Sequence, residues 1–231
     1  MTAGRLVLWR HGRTAYNADA RLQGQIDIPL DDVGHWQAAT AAPALLRRRT
    51  PARIITSDLV RARETAGYLG ALSGVEVELD PRLRERSFGL WEGLTGEEIQ
   101  AGWPVEFAHW RNHTDPAGVE AEPRRAVAVR VLEAVGEHAA TLDKRDTLVL
   151  VAHGAAISTA VNVLIGMDAE WRGITGMSNA HWAELVATGP GAEPAWRLTG
   201  YNVGPLDASS DWDAGPDEVT SEADAGTRDP D

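Results

Sequence analysis

A chain of 231 residues with 43% hydrophobic and 24% charged residues has the balance of a globular protein able to bury a sizeable core. It contains no cysteine, which excludes disulfides, thiolate nucleophiles and Cys-ligated metal. The net charge of −12 is concentrated at one end: residues 207–231 hold nine acidic residues and Arg228, leaving −4 for residues 1–206, and no basic patch marks a nucleic-acid surface. That end is rich in Asp, Glu, Ser, Gly and Pro, with Trp212 and Val219 its only large apolar residues. Such a segment buries too little to offset its ordering entropy, so we expect one domain over 1–206 and a solvated, disordered acidic tail over 207–231. The opening apolar run is too short for a signal peptide and no stretch approaches a membrane span, so the expectation is a soluble, cytoplasmic protein with no membrane partner.

The first element is a strand, Arg5–Arg10, whose continuous apolar run Leu6–Trp9 suits burial on both faces. Residues Arg21–Pro29 read as irregular, punctuated by Gly24 and Pro29. Asp31 or Asp32 then caps a helix to about Arg48 that Pro43 should kink or split. A short strand Arg53–Thr56 leads into a helix capped by Ser57 and Asp58 and ended by Gly74. The alternation Val75–Leu79 suggests an edge strand, Arg82–Glu85 an extended piece, and Thr95 with Glu98 a capping box opening a short helix. The stretch 102–123 reads as loop with short helices, and Arg124–Leu142 as a clear helix. A second apolar strand, Thr147–Ala152, precedes a helix over Ala155–Ile165, and two strands, Ala180–Ala187 and Ala195–Tyr201, close the fold. Alternating strands and helices imply an α/β protein: a three-layer α/β/α sandwich around a mostly parallel sheet, with its site at the carboxyl ends of the strands.

Both apolar strands end in His-Gly, at His11-Gly12 and His153-Gly154. Neighbouring parallel strands would set both imidazoles over one pocket. His11 reads as a nucleophile that takes a phosphoryl group, with Arg10 beside it presenting a fork of donors suited to phosphate oxygens. Arg61 lies one turn into a helix on the same face as Thr65, where it either points over the strand ends toward an anion or stays a surface arginine. Glu85 is either a general acid, raised in pKa by burial and a phosphate dianion, or an ion-pair partner of Arg82, Arg84 or Arg86.

Four blocks occur in order: RHGRTxxN at Arg10–Asn17, SDLxRAxxTA at Ser57–Ala66, LRExxFGxWEG at Leu83–Gly93 and VAHG at Val151–Gly154. Together they resemble the signature blocks of the histidine phosphatase superfamily, the phosphoglycerate mutase-like proteins, over about residues 4–204. The resemblance implies that His11 is phosphorylated, that Arg10, Arg61 and His153 form the phosphate pocket, and that Glu85 is the proton donor. It also implies a phosphate or His11-orienting contact from Asn17, and a substrate entrance bordered by Gln23 and Gly24. No metal or other cofactor is expected, because the two arginines and His153 would neutralise the equatorial oxygens. One block departs: where family members often carry Gly-Glu-Ser, this chain has Ala121-Glu122-Pro123, which keeps the glutamate and drops a hydroxyl near the pocket.

The resemblance favours a phosphatase of small phosphorylated metabolites over a mutase, since the stretch from Glu85 to His153 is short for a mutase insertion and offers chiefly Arg111. Arg124 and Arg125, at a helix start, are expected to face solvent. The loop around Gln23-Gly24 and the run Gly176–Ala180 resemble glucosyl-3-phosphoglycerate phosphatases. A phosphoglycerate mutase and a non-catalytic phosphate-binding module remain the alternatives. His109 and His113 have helical metal-ligand spacing but lack a following glutamate and a third ligand, and read as surface histidines. Trp9, Trp182 and Trp196 are expected in the core, while Trp91, Trp103 and Trp110 either wall the substrate site or fill the core beneath it. The edge-like strand Val75–Leu79 is a candidate contact for a homodimer.

Overall fold

The computed structural model describes residues 2–112, 114–189, 191–205, 212, 213 and 215. Among these residues six strands form one sheet: β1 (Arg5–Arg10), β2 (Arg53–Thr56), β3 (Val77–Leu79), β4 (Thr147–Ala152), β5 (Trp182–Ala187) and β6 (Trp196–Val203). Their spatial order is β3-β2-β4-β1-β5-β6. The pairs β1–β4, β2–β4 and β2–β3 are parallel, whereas β5 is antiparallel to both β1 and β6. Only β5 therefore opposes the other five strands.

Among the described residues seven α-helices accompany the sheet: α1 (Ala15–Ala18), α2 (Asp32–Arg48), α3 (Val60–Ser73), α4 (Gly96–Gly102), α5 (Pro104–Arg111), α6 (Arg124–Ala140) and α7 (Gly154–Leu164). Alternation along the strands sorts the core into two layers. Leu6, Leu8, Leu148 and Leu150 meet Val127, Val131, Val135, Ile157 and Val161 of α6 and α7. Val7, Trp9, Val149 and Val151 meet Ala41, Leu45, Ala62, Ala66 and Leu69 of α2 and α3. This is the three-layer sandwich expected from the strand–helix alternation. Trp9, Trp182 and Trp196 are buried, as expected.

Several local expectations change. Helix α2 runs unbroken through Pro43. A proline there costs about 3 kcal/mol, and burial of Ala41, Ala42, Ala44 and Leu45 around it offsets that cost. Helix α3 starts after Leu59, with no side-chain cap from Ser57 or Asp58. Asp27 Oδ1 instead accepts from the Val60 N–H at 2.7 Å, and Asp58 is held by Arg84. The edge strand is cut to Val77–Leu79, and the extended piece before Glu85 begins as a 3-10 turn, Pro81–Leu83. Helix α1 was not anticipated; Thr14 and Asn17 form its capping box.

Within the acidic stretch, the described residues include Trp212. Trp212 is buried, with its ring centroid 5.0 Å from that of the tilted Trp36 ring and 5.6 Å from that of the edge-on His181 ring. Its Nε1 donates to the Asn179 carbonyl at 2.9 Å, and its own carbonyl accepts from Gln37 Nε2 at 2.9 Å. A tryptophan brings enough apolar area to favour this buried position for its own side chain. Positions 206–211, 214 and 216–231 lie outside the described residues.

Candidate active site

The register of the central strands builds the site. Arg10 on β1 pairs with Ala152 on β4, so His11 and His153 leave the sheet at the same level. Their rings lie 5.1 Å apart, centroid to centroid, and both are buried. The chain after His11 turns against the start of α2, where a Cβ on Gly12 would collide with the Gly34 carbonyl. Glycine is required there by backbone packing. The Gly12 N–H donates to Thr65 Oγ1 at 3.0 Å, and that hydroxyl donates to the Arg61 carbonyl at 2.7 Å.

Hydrogen bonding assigns the tautomers. His11 Nδ1 lies 2.7 Å from the Gly12 carbonyl, an acceptor, so Nδ1 carries the proton and Nε2 keeps a lone pair. Burial, with the charges of Arg61 and Arg10 added, holds this imidazole well below its ordinary value of 6.5 and keeps it neutral. Arg61 Nε donates to His153 Nδ1 at 3.2 Å, which puts the His153 proton on Nε2. Burial and the Arg61 charge depress His153 as well.

Arg61 is fully buried, which removes the surface reading of it. Its Nη1 and Nη2 donate to the carbonyls of Ile26 and Gly24, each at 2.8 Å, so it ties the irregular loop down over the strand ends. Burial lowers its pKa to about 10. Arg10 donates through Nη1 to the Met177 carbonyl. Three buried polar atoms here lack a partner among the described residues: Arg10 Nε, His153 Nε2 and Gln23 Oε1. Two of these are donors, in a site already walled by guanidinium groups, and an oxyanion satisfies them.

Glu85 makes no side-chain ion pair with Arg82, Arg84 or Arg86. Its Oε1 accepts from the backbone N–H groups of Arg86 at 2.8 Å and Ala156 at 2.9 Å, and its Oε2 from Ala155 at 3.0 Å. The carboxyl thus sits at the N-terminus of α7, beside His153, held by three backbone N–H donors. Arg84 pairs with Asp58, Arg82 with Asp80 and Glu137, and Arg86 with Asp115.

Asn17 Oδ1 accepts from the Thr14 N–H at 3.2 Å and from Asn179 Nδ2 at 3.2 Å. The same Asn179 Nδ2 lies 3.1 Å from the His11 carbonyl. Asn17 and Asn179 thus brace the His11 loop together. Gly24 adopts φ +53, where a side chain would also strike Glu92. Glu92 Oε1 accepts from the N–H groups of Gln25 and Phe88, stitching the Gln23-Gly24 loop to the segment after Glu85. All eight residues singled out in the sequence converge here. His11, Arg10, Asn17, Gln23, Gly24, Arg61 and Glu85 line one cavity of about 320 Å³, and His153 lies against its floor.

Other residues at the site had no role assigned from the sequence. Glu122 pairs both oxygens with Arg130, at 2.8 Å each. Arg130 also donates to the carbonyls of Arg82, Arg84 and Glu85 at 2.7, 2.6 and 3.0 Å. The retained glutamate of Ala121-Glu122-Pro123 therefore fixes the backbone that carries Glu85. Arg124 lines the cavity with Arg86 and Arg172, contrary to the solvent-facing position expected of it, whereas Arg125 is exposed beside Asp168. Trp110 lines the cavity, Trp91 is wholly buried beneath it, and Trp103 packs against that small core. His109 is exposed on α5, and His113 lies outside the described residues.

A family model, the histidine phosphatase superfamily (branch 1), matches residues 6–202. The chain belongs to this superfamily. Among relatives of this histidine phosphatase is the glucosyl-3-phosphoglycerate phosphatase of Mycolicibacterium vanbaalenii, 40% identical over 219 residues, covering 88% of this chain and 96% of the relative. The Mycobacterium tuberculosis enzyme of the same name is 40% identical over 215 residues, with the same coverage. The solved structure of a mycobacterial glucosyl-3-phosphoglycerate phosphatase superposes with a TM-score of 0.78 at 39% identity, covering 87% of this chain and all of the other. The protein is accordingly a phosphatase. Among the described residues no helix is long and apolar enough to cross a membrane.

Proposed function

We propose that this phosphatase hydrolyses the phosphate monoester of glucosyl-3-phosphoglycerate through a phosphorylated His11. The substrate rests on the identity with enzymes of that name across nearly their whole length. The mechanism rests on one observation: a neutral His11 Nε2 faces a pocket whose buried donors, Arg10 Nε and His153 Nε2, lack partners among the described residues.

The lone pair on His11 Nε2 attacks phosphorus, and the ester P–O bond breaks on the opposite side. Arg10, Arg61 and His153 Nε2–H bind the three equatorial oxygens, where charge is greatest in the transition state. Glu85 delivers a proton to the departing alcohol oxygen. It then takes one from the water that attacks phospho-His11, so free His11 and inorganic phosphate are regenerated. Three N–H donors on the Glu85 carboxyl suit the second half of this cycle directly. For the first half, the carboxyl carries the proton that it delivers, and the water's proton restores it, so the cycle closes on the starting enzyme. Asn17 holds the His11 loop through Asn179, and Gln23 offers Oε1 to a substrate hydroxyl.

The test is phosphate release from glucosyl-3-phosphoglycerate in the presence of EDTA, together with trapping of an acid-labile, alkali-stable phosphoenzyme. Wild type should release phosphate and accumulate the adduct, and His11→Ala should do neither. Release by His11→Ala at the wild-type rate would refute the phosphohistidine route, and no release by wild type would refute the substrate.

A further inference from the structure

One wall of the cavity carries positive charge that phosphate chemistry at His11 does not use. Arg86 is only 1% exposed; its Nε donates to the Glu122 carbonyl at 2.7 Å and its Nη2 to Asp115 Oδ1 at 2.8 Å. Arg124, the first residue of α6, aims Nε at the same Asp115 Oδ1 from 3.3 Å, and its backbone N–H donates to Oδ2 at 2.9 Å. Arg172, on the connection between α7 and β5, lines the same cavity. No hydrogen bond among the described residues uses Nη1 of Arg86, either Nη of Arg124, or any guanidinium nitrogen of Arg172. The acids whose charges act on Arg124 and Arg172 are Asp115, which also pairs with Arg86, and, on the outer loop, Glu170. Three cations against two carboxylates leave one positive charge in excess. Burial and the nearby charges of Arg172 and Arg86 pull Arg124 down to about 10. The Phe88 ring lies 5.5 Å beneath the Arg86 guanidinium and helps to hold it in place.

We propose that Arg86, Arg124 and Arg172 form a second anion subsite, which binds a carboxylate of the substrate while its phosphate lies against His11 and Arg10. The inference rests on the phosphatase reading above and names the class it serves: phosphomonoesters of hydroxy acids. An excess of one charge matches a carboxylate better than a second phosphate dianion. Guanidinium Nη groups that remain after Nε is used are the donors that grip a carboxylate in a fork. Because Arg86 follows Glu85 directly, the backbone that positions the proton donor also positions this wall. Carboxylate binding would therefore set how the ester oxygen meets Glu85.

The experiment compares 3-phosphoglycerate with glycerol 3-phosphate, which has an alcohol in place of the carboxylate. The readout is the ratio of their kcat/KM values in wild type, Arg124→Gln, Arg172→Gln and Arg172→Lys. Wild type should favour the acid. Each Gln variant should lower that ratio by about ten- to hundredfold, the range for losing a charge-assisted hydrogen bond, and Arg172→Lys should recover part of it. Arg172 is exposed on a loop, so its substitution leaves the core intact even if Arg124→Gln folds poorly. An unchanged ratio in Arg172→Gln, or an equal fall on both compounds, would overturn the subsite. If wild type hydrolyses neither compound, phosphate release from glucosyl-3-phosphoglycerate is measured beside them, and only its absence means that the reading above has failed. The subsite is then judged by calorimetric affinity for the two compounds: a preference for the acid that is lost in Arg172→Gln supports it, and equal affinities refute it.

Discussion

Replacing Trp212 with alanine tests whether the acidic tail is fastened to the domain. The side chain is buried against Trp36 and His181, its Nε1 bonds the Asn179 carbonyl, and its backbone carbonyl bonds Gln37. A tryptophan in such a place buries about 150–250 Å², worth about 4–6 kcal/mol at about 25 cal/mol per Å². The full amount is not lost, because the truncated segment can lift away and regain about 1–2 kcal/mol of backbone freedom for each residue released. Water then satisfies Asn179 and Gln37, so no orphaned polar group adds to the cost. The net loss should be about 2–3 kcal/mol, read as a lower urea midpoint at pH 7.5 with an unchanged slope. Trp212→Phe keeps most of the area but loses the indole N–H, and should cost about 1 kcal/mol. The same variants should lower kcat/KM, because Asn179 braces both the His11 carbonyl and Asn17. A Trp212→Ala unfolding curve that overlays wild type would refute the docking of this residue.

Stability should depend on pH through the two buried histidines. His11 and His153 are depressed below 6.5 in the fold and titrate near 6.5 when unfolded, so below that pH the unfolded chain binds more protons. Stability is then full above about pH 6.5 and falls on acidification, by up to about 1.4 kcal/mol per pH unit for each histidine; a His153→Gln variant should show a shallower loss in urea titrations between pH 6.5 and 5. Arg130→Gln should lower kcat about tenfold with little change in KM, since it frees the backbone that carries Glu85, and Arg130→Lys should not rescue it because one ammonium cannot span Glu122 and three carbonyls. Gly12→Ala and Gly154→Ala should separate fold from chemistry. The first drives a methyl into the Gly34 backbone and should cost more than about 2 kcal/mol by thermal unfolding. The second places its methyl 3.6 Å from Arg10 Nε, an ordinary contact, so it should keep the melting temperature while raising KM by covering that donor.

The parts of the site that could be read from the sequence are those fixed by strand ends. His11 and His153 each follow an apolar strand, and two such strands in a parallel sheet have few ways to lie apart. For Arg61, the helix start placed it near the strand ends, but only the resemblance chose the phosphate pocket over a surface position. Glu85 was legible as a member of the site but not in its contacts, since its partners are backbone N–H groups of α7, which no side-chain pattern announces. Arg124 was misjudged for a similar reason. A helix start usually faces solvent, but here Asp115, from a poorly periodic stretch, caps α6 and turns Arg124 toward the cavity. Trp212 was hidden by averaging: a composition argument treats 25 residues as one body, while docking needs a single residue with a groove to enter.

This difference in legibility follows how the two halves of the pocket are held. The phosphate end is set by sheet register and by backbone acceptors, so its tautomers and charges follow once two strands are paired. The wall of Arg86, Arg124 and Arg172 is set by side chains from three separate segments, two of which meet around the Asp115 carboxylate. Removing Asp115 would release two of those arginines without disturbing a strand. The end that handles phosphorus is therefore hard to change without unfolding the protein, and the end that recognises the rest of the substrate is easy to change. Substitution of Arg86, Arg124 or Arg172 should therefore change which phosphate ester is accepted while His11 and His153 keep their places.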